Sequence, residues 1–362
     1  MIRGQVTDPI PEAETPAKPK FGKQQIIATV LTILILVLVF VIILPQFGNY
    51  DEAWEAVQSM STASLALIVV ATIAMILIYT TPFIAALPGL KFKPAFLTRQ
   101  TSFMISNVVP AGGAFGLAVQ FGMLSSYGYR AAPVTAVIGI TSVWNTLITL
   151  SLPVVALAGL AITGQSGTDT AIPALIAAAI VAAMIIVFAL ILRSEELARK
   201  IGRFSNGLIQ WAARIVKREV PFDAVDAIVQ FRTSIVDVVS DRWILITLSN
   251  VGQQLAQFSI LYLAVVALQG GIGGPITLLE AFAAFAFGRL ATFIPVPPGG
   301  VGTTDAIIVG MLGGFGLDSS SALAATMIWR FATYMPQVLI GGGALIAFRR
   351  GQSRRQKAPS SV

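Results

Sequence analysis

The chain has 362 residues, 56% of them hydrophobic and 11% charged, with a mean hydropathy of +0.81; a soluble fold of this length could not bury that much apolar surface, so a membrane protein is expected. The formal charge of +7 arises from 24 Lys and Arg against 17 Asp and Glu, but the bases stand mostly in loops between apolar runs, which fits membrane orientation and excludes nucleic acid as the expected partner. His and Cys are both absent, which removes the commonest general base, the commonest metal ligand, thiolate chemistry and disulfides, and no cofactor or metal is expected.

In chain order, residues 1–25 are rich in Pro and charge and read as a disordered cytoplasmic tail. Apolar runs long enough to cross about 30 Å of hydrocarbon as helices follow at residues 26–44, 62–86, 133–162, 171–192, 243–268 and 321–348. The runs lack strand-like alternation, so helices must satisfy the backbone within the bilayer. Pro153 is expected to kink or tilt the third span. The loop with Asp51, Glu52 and Glu55 lacks a base, whereas Lys91, Lys93 and Arg99, residues 193–242 and the tail 349–362 are basic. The asymmetry predicts both termini and residues 193–242 in the cytoplasm.

The expected organisation is an N-terminal membrane half (26–192), a cytoplasmic amphipathic region (193–242) and a C-terminal membrane half (243–348), between the two tails. In the amphipathic region, Leu197, Ile201, Phe204, Leu208, Trp211 and Ile215 recur at steps of four and three between Arg and Lys. That stripe suits a helix in the headgroup layer, with a protein contact as the competing reading. A weaker stripe runs through Val225, Ile228, Ile235 and Val239.

Each half contains a Gly/Pro-punctuated segment too short for comfortable spans, at about residues 94–128 and 276–316. A shift of 188 residues pairs Val108 with Val296, Pro110 with Pro298, Gly112 with Gly300, Leu124 with Leu312 and Gly128 with Gly316. Three spans separate the two segments, so if each dips in and returns they enter from opposite sides. The predicted fold is an all-α polytopic membrane protein with about six full transmembrane helices and two re-entrant hairpins in an inverted repeat. Broken helices at corresponding positions of two halves point to a transport site near the midplane.

In the second segment the expected elements are a helix over 278–294, a loop over 295–302 and a returning helix from Thr303. Thr303, Thr304 and Asp305 are N-cap and first-turn residue types, and the free N–H groups of a helix start favour an anion. Arg289 and Asp305 are expected at similar depth on opposite arms, either as a phosphate site or as a structural clamp. Arg suits forked recognition of phosphate better than Lys. Arg330 is a further intramembrane charge, with snorkelling as the alternative. Gln253 and Gln257 share a helix face and could line a path, while Gln120, Asn145, Asn250 and Gln254 read first as helix–helix hydrogen-bonding groups. No nucleophile–base pair, metal cluster, Walker loop or dinucleotide fingerprint occurs.

Arg289, Thr292, Phe293, Pro295, Pro298, Gly299, Gly300, Gly302 and Asp305, with the stretch from Asn107 through Pro110 and Gly112 to Gly113, resemble the membrane region of lysylphosphatidylglycerol synthases and the free-standing flippase-like proteins similar to it. The resemblance extends over about residues 60–348. It implies movement of phospholipids or lipid-linked glycosyl intermediates between leaflets. Two departures stand out: Ala114 and Phe115 follow Gly113 where the family commonly has an acidic residue, and no soluble aminoacyl-transferase domain follows the membrane region. Aminoacyl transfer is therefore not expected.

Together these readings predict a non-enzymatic lipid flippase in a bacterial inner membrane, binding a phosphate headgroup through Arg289, Arg330, Asn107, Pro110, Gly112, Gly113, Gln253, Gln257, Pro298, Gly299, Gly300, Thr303, Thr304 and Asp305. The alternatives are an enzyme acting on polyprenyl-phosphate substrates, and a scaffold recruiting envelope-biosynthesis enzymes through residues 193–242.

Overall fold

The computed structural model describes residues 50–109, 112–164, 193–215, 224–293, 300 and 302–357, with part of 179–191. Among the described residues the regular structure is helical: α1 (Tyr50–Gln58), α2 (Thr62–Ile78), α3 (Thr81–Ala86), α4 (Phe92–Val108), α5 (Gly112–Ser126), α6 (Ala131–Ile162), α7 (Glu195–Ile215), α8 (Ala224–Leu268), α9 (Leu278–Leu290), α10 (Thr303–Gly314) and α11 (Ser319–Lys357), with a 3-10 turn at Ala291–Phe293. Among the described residues, four helical stretches are long and apolar enough to cross a membrane: Thr62–Ala86, Ala131–Ile162, Val238–Leu268 and Ser319–Gly351. They coincide with four of the six expected spans. The expected span 26–44 lies outside the described residues, as does much of 171–192.

The first of these stretches is not one continuous helix. Pro82 stands in the first turn of α3 and its ring excludes the carbonyl four residues back, at Ile78, so α2 stops there. The Thr81 hydroxyl donates to the freed Ile78 carbonyl at 2.8 Å. This break leaves Tyr79 between the two helices, where its carbonyl is open to a side chain from α4. Pro153, by contrast, sits inside the continuous α6.

Both Gly/Pro segments form helical hairpins, α4/α5 and α9/α10. Gly112 and Gly116 let the arms of the first close: a Cβ at Gly112 would strike the Ile105 carbonyl, and one at Gly116 the Ser106 hydroxyl. Ser102 donates to the Gly116 carbonyl at 3.0 Å and accepts from Gln120 at 2.6 Å, pinning the arms together. In the second hairpin a Cβ on Gly288 would lie 2.6 Å from Ile308. A capping box starts α9, with Glu280 N donating to Thr277 Oγ1 at 3.3 Å and Thr277 N to Glu280 Oε2 at 2.8 Å.

The 188-residue correspondence is geometric as well as textual. Gly128 (φ 90°) and Gly316 (φ 106°) end the two returning helices in the left-handed region. The same Schellman bonds follow each: Tyr129 N to Leu124 O at 3.3 Å with Gly128 N to Ser125 O at 3.0 Å, and Leu317 N to Leu312 O at 3.0 Å with Gly316 N to Gly313 O at 3.0 Å. The paired leucines and glycines of the repeat thus make the same C-terminal stop twice.

α11 packs against both hairpins and α8. Its crossing with α4 is close enough that a Cβ at Gly341 would meet the Gln100 carbonyl. One core runs through α2, α6, α8, α9, α10 and α11 around Phe285 and Trp329, and a second gathers Phe83, Leu124, Val137, Ile140 and Ile246. Leu67, Val69, Val70 and Ile73 of α2 and Leu245 and Leu248 of α8 are exposed, as lipid-facing side chains of a membrane bundle are.

α8 has 45 residues, about 67 Å at 1.5 Å per residue, so it continues well beyond its apolar stretch. α7 packs on that extension, so closely that a Cβ at Gly202 would lie 2.7 Å from Val225 Cα. Ala198 and Ile235 are fully buried. The early part of the amphipathic helix therefore contacts protein, with Phe204 turned outward at 77% exposure. The side chains of Leu208, Trp211 and Ile215 fall outside the described residues.

Candidate functional site

Arg289, near the end of α9, faces a cavity of about 170 Å³ that it shares with Arg99 of α4. The remaining wall includes Tyr79, Gln120, Asn145, Asn250, Gln253 and Gln257. Gln253 stands at the middle of the stretch Val238–Leu268, so if that stretch crosses the bilayer symmetrically the cavity falls near the midplane. A charge there is costly unless it faces a cavity or a partner.

The two guanidinium groups are held differently. The Arg99 Nε donates to the Tyr79 carbonyl at 3.3 Å, using the acceptor exposed by the Pro82 break. Its Nη2 donates to Gln253 Oε1 at 3.3 Å, and its head stacks over Tyr79 at 4.1 Å and Phe83 at 4.8 Å. Arg289 Nε is buried and has no hydrogen-bond partner. Among the described residues neither arginine has a carboxylate within ion-pair distance. Two uncompensated cations converge on one polar hollow.

Asp305 belongs elsewhere. The expectation that it faces Arg289 is corrected: its partner is Arg330 of α11, with Nη2 at 2.7 Å and Nε at 2.8 Å from Oδ1. α10 packs against α11 as well as against α9, and it is α11 that brings a guanidinium to the Asp305 carboxylate. The other carboxylate oxygen accepts the Gly302 N–H at 2.7 Å and so fills the start of α10 with the chain's own negative charge. Arg330 is not a snorkelling residue, since its side chain is only 13% exposed.

The other predicted positions divide. Gln253 and Gln257 both line the cavity. Gly300 (φ 64°) offers its carbonyl to Arg330 at 3.5 Å and to Thr303 Oγ1 at 3.3 Å. Thr304 is fully buried with an unpartnered hydroxyl. The Asn107 amide donates to the Phe103 carbonyl of its own helix at 2.8 Å, Gly112 serves hairpin packing, and Gly113 is exposed. None of these three lines the cavity. Pro110, Pro298 and Gly299 lie outside the described residues.

Arg99 was the missed residue: it reads as a loop base, although the hairpin expected over 94–128 already contains it. Asn145, Asn250 and Gln120 read as helix–helix groups and do serve that role in part, Gln254 donating to Asn145 Oδ1 at 3.2 Å and to Thr149 at 3.1 Å. They also face the cavity.

An aromatic ladder joins the site to the clamp. Tyr79 meets Phe103 edge-on at 5.7 Å, and Phe103 meets Tyr334 at 5.4 Å. Arg330 lies 4.6 Å over Tyr334, and Arg289 has Tyr79, Tyr334 and Arg330 as electrostatic neighbours. Beside the clamp, Leu323, Met327, Phe331 and Met335 wall a hollow of about 340 Å³ that also touches Asp305, Arg330 and Tyr334. Among the described residues no three His, Cys, Asp or Glu side chains cluster in a way that could hold a metal ion.

Comparison with known proteins bears on this arrangement. The profile of the family described as lysylphosphatidylglycerol synthase TM region matches residues 25–341. A UPF0104 membrane protein of Methanothermobacter thermautotrophicus is 22% identical over 341 residues, spanning 86% of this chain and 91% of that protein.

Proposed function

The chain belongs to the lysylphosphatidylglycerol synthase TM region family, and on that footing we propose that it moves a phosphate-bearing lipid between membrane leaflets. The observation that supports this most directly is the pair Arg99 and Arg289, uncompensated by carboxylate and turned into one polar cavity at mid-bilayer depth. A phosphate supplies the missing negative charge, and the guanidinium fork matches its geometry.

In this reading the α4/α5 and α9/α10 hairpins are re-entrant and enter from opposite faces, bringing Arg99 from one half and Arg289 from the other to the same anion. The lipid tails stay in hydrocarbon. Rocking of one half against the other exposes the cavity to each leaflet in turn. The Arg330–Asp305 pair holds the start of α10 in place and leaves Arg289 free for substrate. Transport is favoured over catalysis because the described cavity wall offers no carboxylate, His or Cys to act as a base.

The test is transbilayer movement of a headgroup-labelled anionic phospholipid in vesicles reconstituted with purified protein. Wild type should accelerate movement, and Arg289→Lys and Arg99→Lys should each reduce it at least tenfold while the protein still unfolds near the wild-type temperature. Movement unchanged in both variants would overturn the assignment.

A further inference from the structure

Resting on the phosphate-cavity reading above, we infer that the hollow beside the Arg330–Asp305 clamp is a second part of the substrate site and takes one hydrocarbon chain of the lipid whose phosphate lies at Arg99 and Arg289. The hollow has about 340 Å³, and its described wall is largely one face of α11, on which Leu323, Met327, Phe331 and Met335 succeed one another at steps of four. That spacing keeps the four side chains on one side of the helix. The rise over the twelve residues from Leu323 to Met335 makes the strip about 18 Å long. One leaflet supplies about 15 Å of hydrocarbon, half of the ~30 Å core, so the strip has the length of a single chain.

The ends of the strip differ. Leu323 is buried and closes one, whereas Met327, Phe331 and Met335 are exposed, as is Leu339 one turn further on. A wall open along its side admits a chain from the bilayer without threading it through the bundle. The polar groups beside it are already used: Arg330 and Asp305 hold one another at 2.7 Å, and Thr326 Oγ1 donates to the Ala322 carbonyl at 2.8 Å. What remains for an occupant is apolar surface, and the flexible thioethers of Met327 and Met335 adapt to an irregular chain.

The partition between the two cavities assigns this chain to the substrate rather than to the surrounding bilayer. Phe103 lines the cavity of Arg99 and Arg289, Tyr334 lines the hollow, and their rings meet at 5.4 Å. Arg289 has Tyr334 as an electrostatic neighbour. One aromatic pair thus stands between a cationic cavity with polar walls and an apolar one open to lipid, which is the order of phosphate and chain within a single lipid molecule.

The experiment places the purified full-length protein in nanodiscs with a phosphatidylglycerol that carries a diazirine on one acyl chain, and maps the crosslinked residues after irradiation. Label should fall on Met327, Phe331 and Met335 at least fivefold more densely than on Leu67, Val69 and Val70, the exposed apolar side chains of α2. Arg289→Met should remove that excess and leave the label on α2 unchanged, because an ordinary boundary lipid does not depend on that charge. Met335→Trp, which fills the hollow, should slow movement of a long-chain phosphatidylglycerol at least tenfold and leave binding of the dibutyryl form, whose chains are too short to occupy the strip, unchanged. Three results would overturn the chain site and leave the phosphate cavity standing: label on α11 no denser than on α2, an excess on α11 that persists in Arg289→Met while that variant loses phosphate-lipid binding, or an unchanged rate in Met335→Trp. Phosphate-lipid binding that survives Arg289→Met would overturn both.

Discussion

Arg330 binds Asp305 through both Nε and Nη2 to a single carboxylate oxygen, at 2.8 and 2.7 Å, while the other oxygen caps the Gly302 N–H at the start of α10. The pair is nearly sealed from its surroundings, with side-chain exposures of 13% and 4%. Loss of one member strands a charge in low dielectric, so Arg330→Ala should cost about 3–5 kcal/mol of stability. Removing both partners should restore most of that, leaving a deficit of about 1 kcal/mol for the lost cap. Thermal unfolding of the single and double variants in detergent checks the cycle; additive losses would show that the two residues are energetically independent.

Arg289 should behave in the opposite way. It has a buried, unpartnered Nε and no carboxylate among the described residues, so its charge is a cost to the empty protein. Arg289→Met should leave the unfolding temperature equal to or above that of wild type while abolishing phosphate-lipid binding. A fall in stability matching that of Arg330→Ala would assign Arg289 a structural role instead.

The fold was legible wherever covalent constraint acts locally. Pro and Gly clusters interrupt a continuous helix whatever surrounds them, so the two hairpins followed from the sequence; the correspondence of Gly128 with Gly316 was visible there too, but their role as helix stops came only with the structure. The pairing of Asp305 was not legible, because depth along two arms of a hairpin leaves open which third helix packs against them, and α11 brings Arg330 closer. Arg99 was hidden for a related reason. Position in a basic loop and position at a cavity differ only by where α4 begins, and α4 begins at Phe92, early enough to carry Arg99 inward. Gln253 and Gln257 were readable because two positions on one helix face stay together regardless of packing.

The break at Pro82 should matter for the cavity even though Pro82 does not line it. It exposes the Tyr79 carbonyl that accepts from Arg99 Nε at 3.3 Å. Pro82→Ala allows α2 and α3 to join and draws that carbonyl into helical hydrogen bonding. A hydrogen bond to a charged group contributes about 1.5–3 kcal/mol, so phosphate-lipid affinity should fall by roughly tenfold to a hundredfold. Titration of the variant with phosphatidylglycerol measures this; an unchanged affinity would mean that stacking on Tyr79 and Phe83 alone positions Arg99.

The orientation of the molecule can be read from two exposed positions separated by one apolar stretch. Phe204 lies on α7, which packs against the N-terminal extension of α8, and is 77% exposed; Ile272 follows the C-terminal end of α8 and is 80% exposed. The stretch Val238–Leu268 runs between them, so they should face opposite sides of the membrane. Arg193, Arg199, Lys200 and Arg203 surround Phe204 in sequence, whereas the turn around Ile272 carries no base, so the bias of positive loops predicts the α7 side in the cytoplasm. The native chain contains no Cys, so Ile272→Cys and Phe204→Cys can each be probed without background. An impermeant thiol reagent should label Ile272→Cys in intact cells and Phe204→Cys only after lysis. Labelling of both from outside would mean that α8 does not cross the bilayer, and the reversed pattern would invert the side from which each hairpin enters.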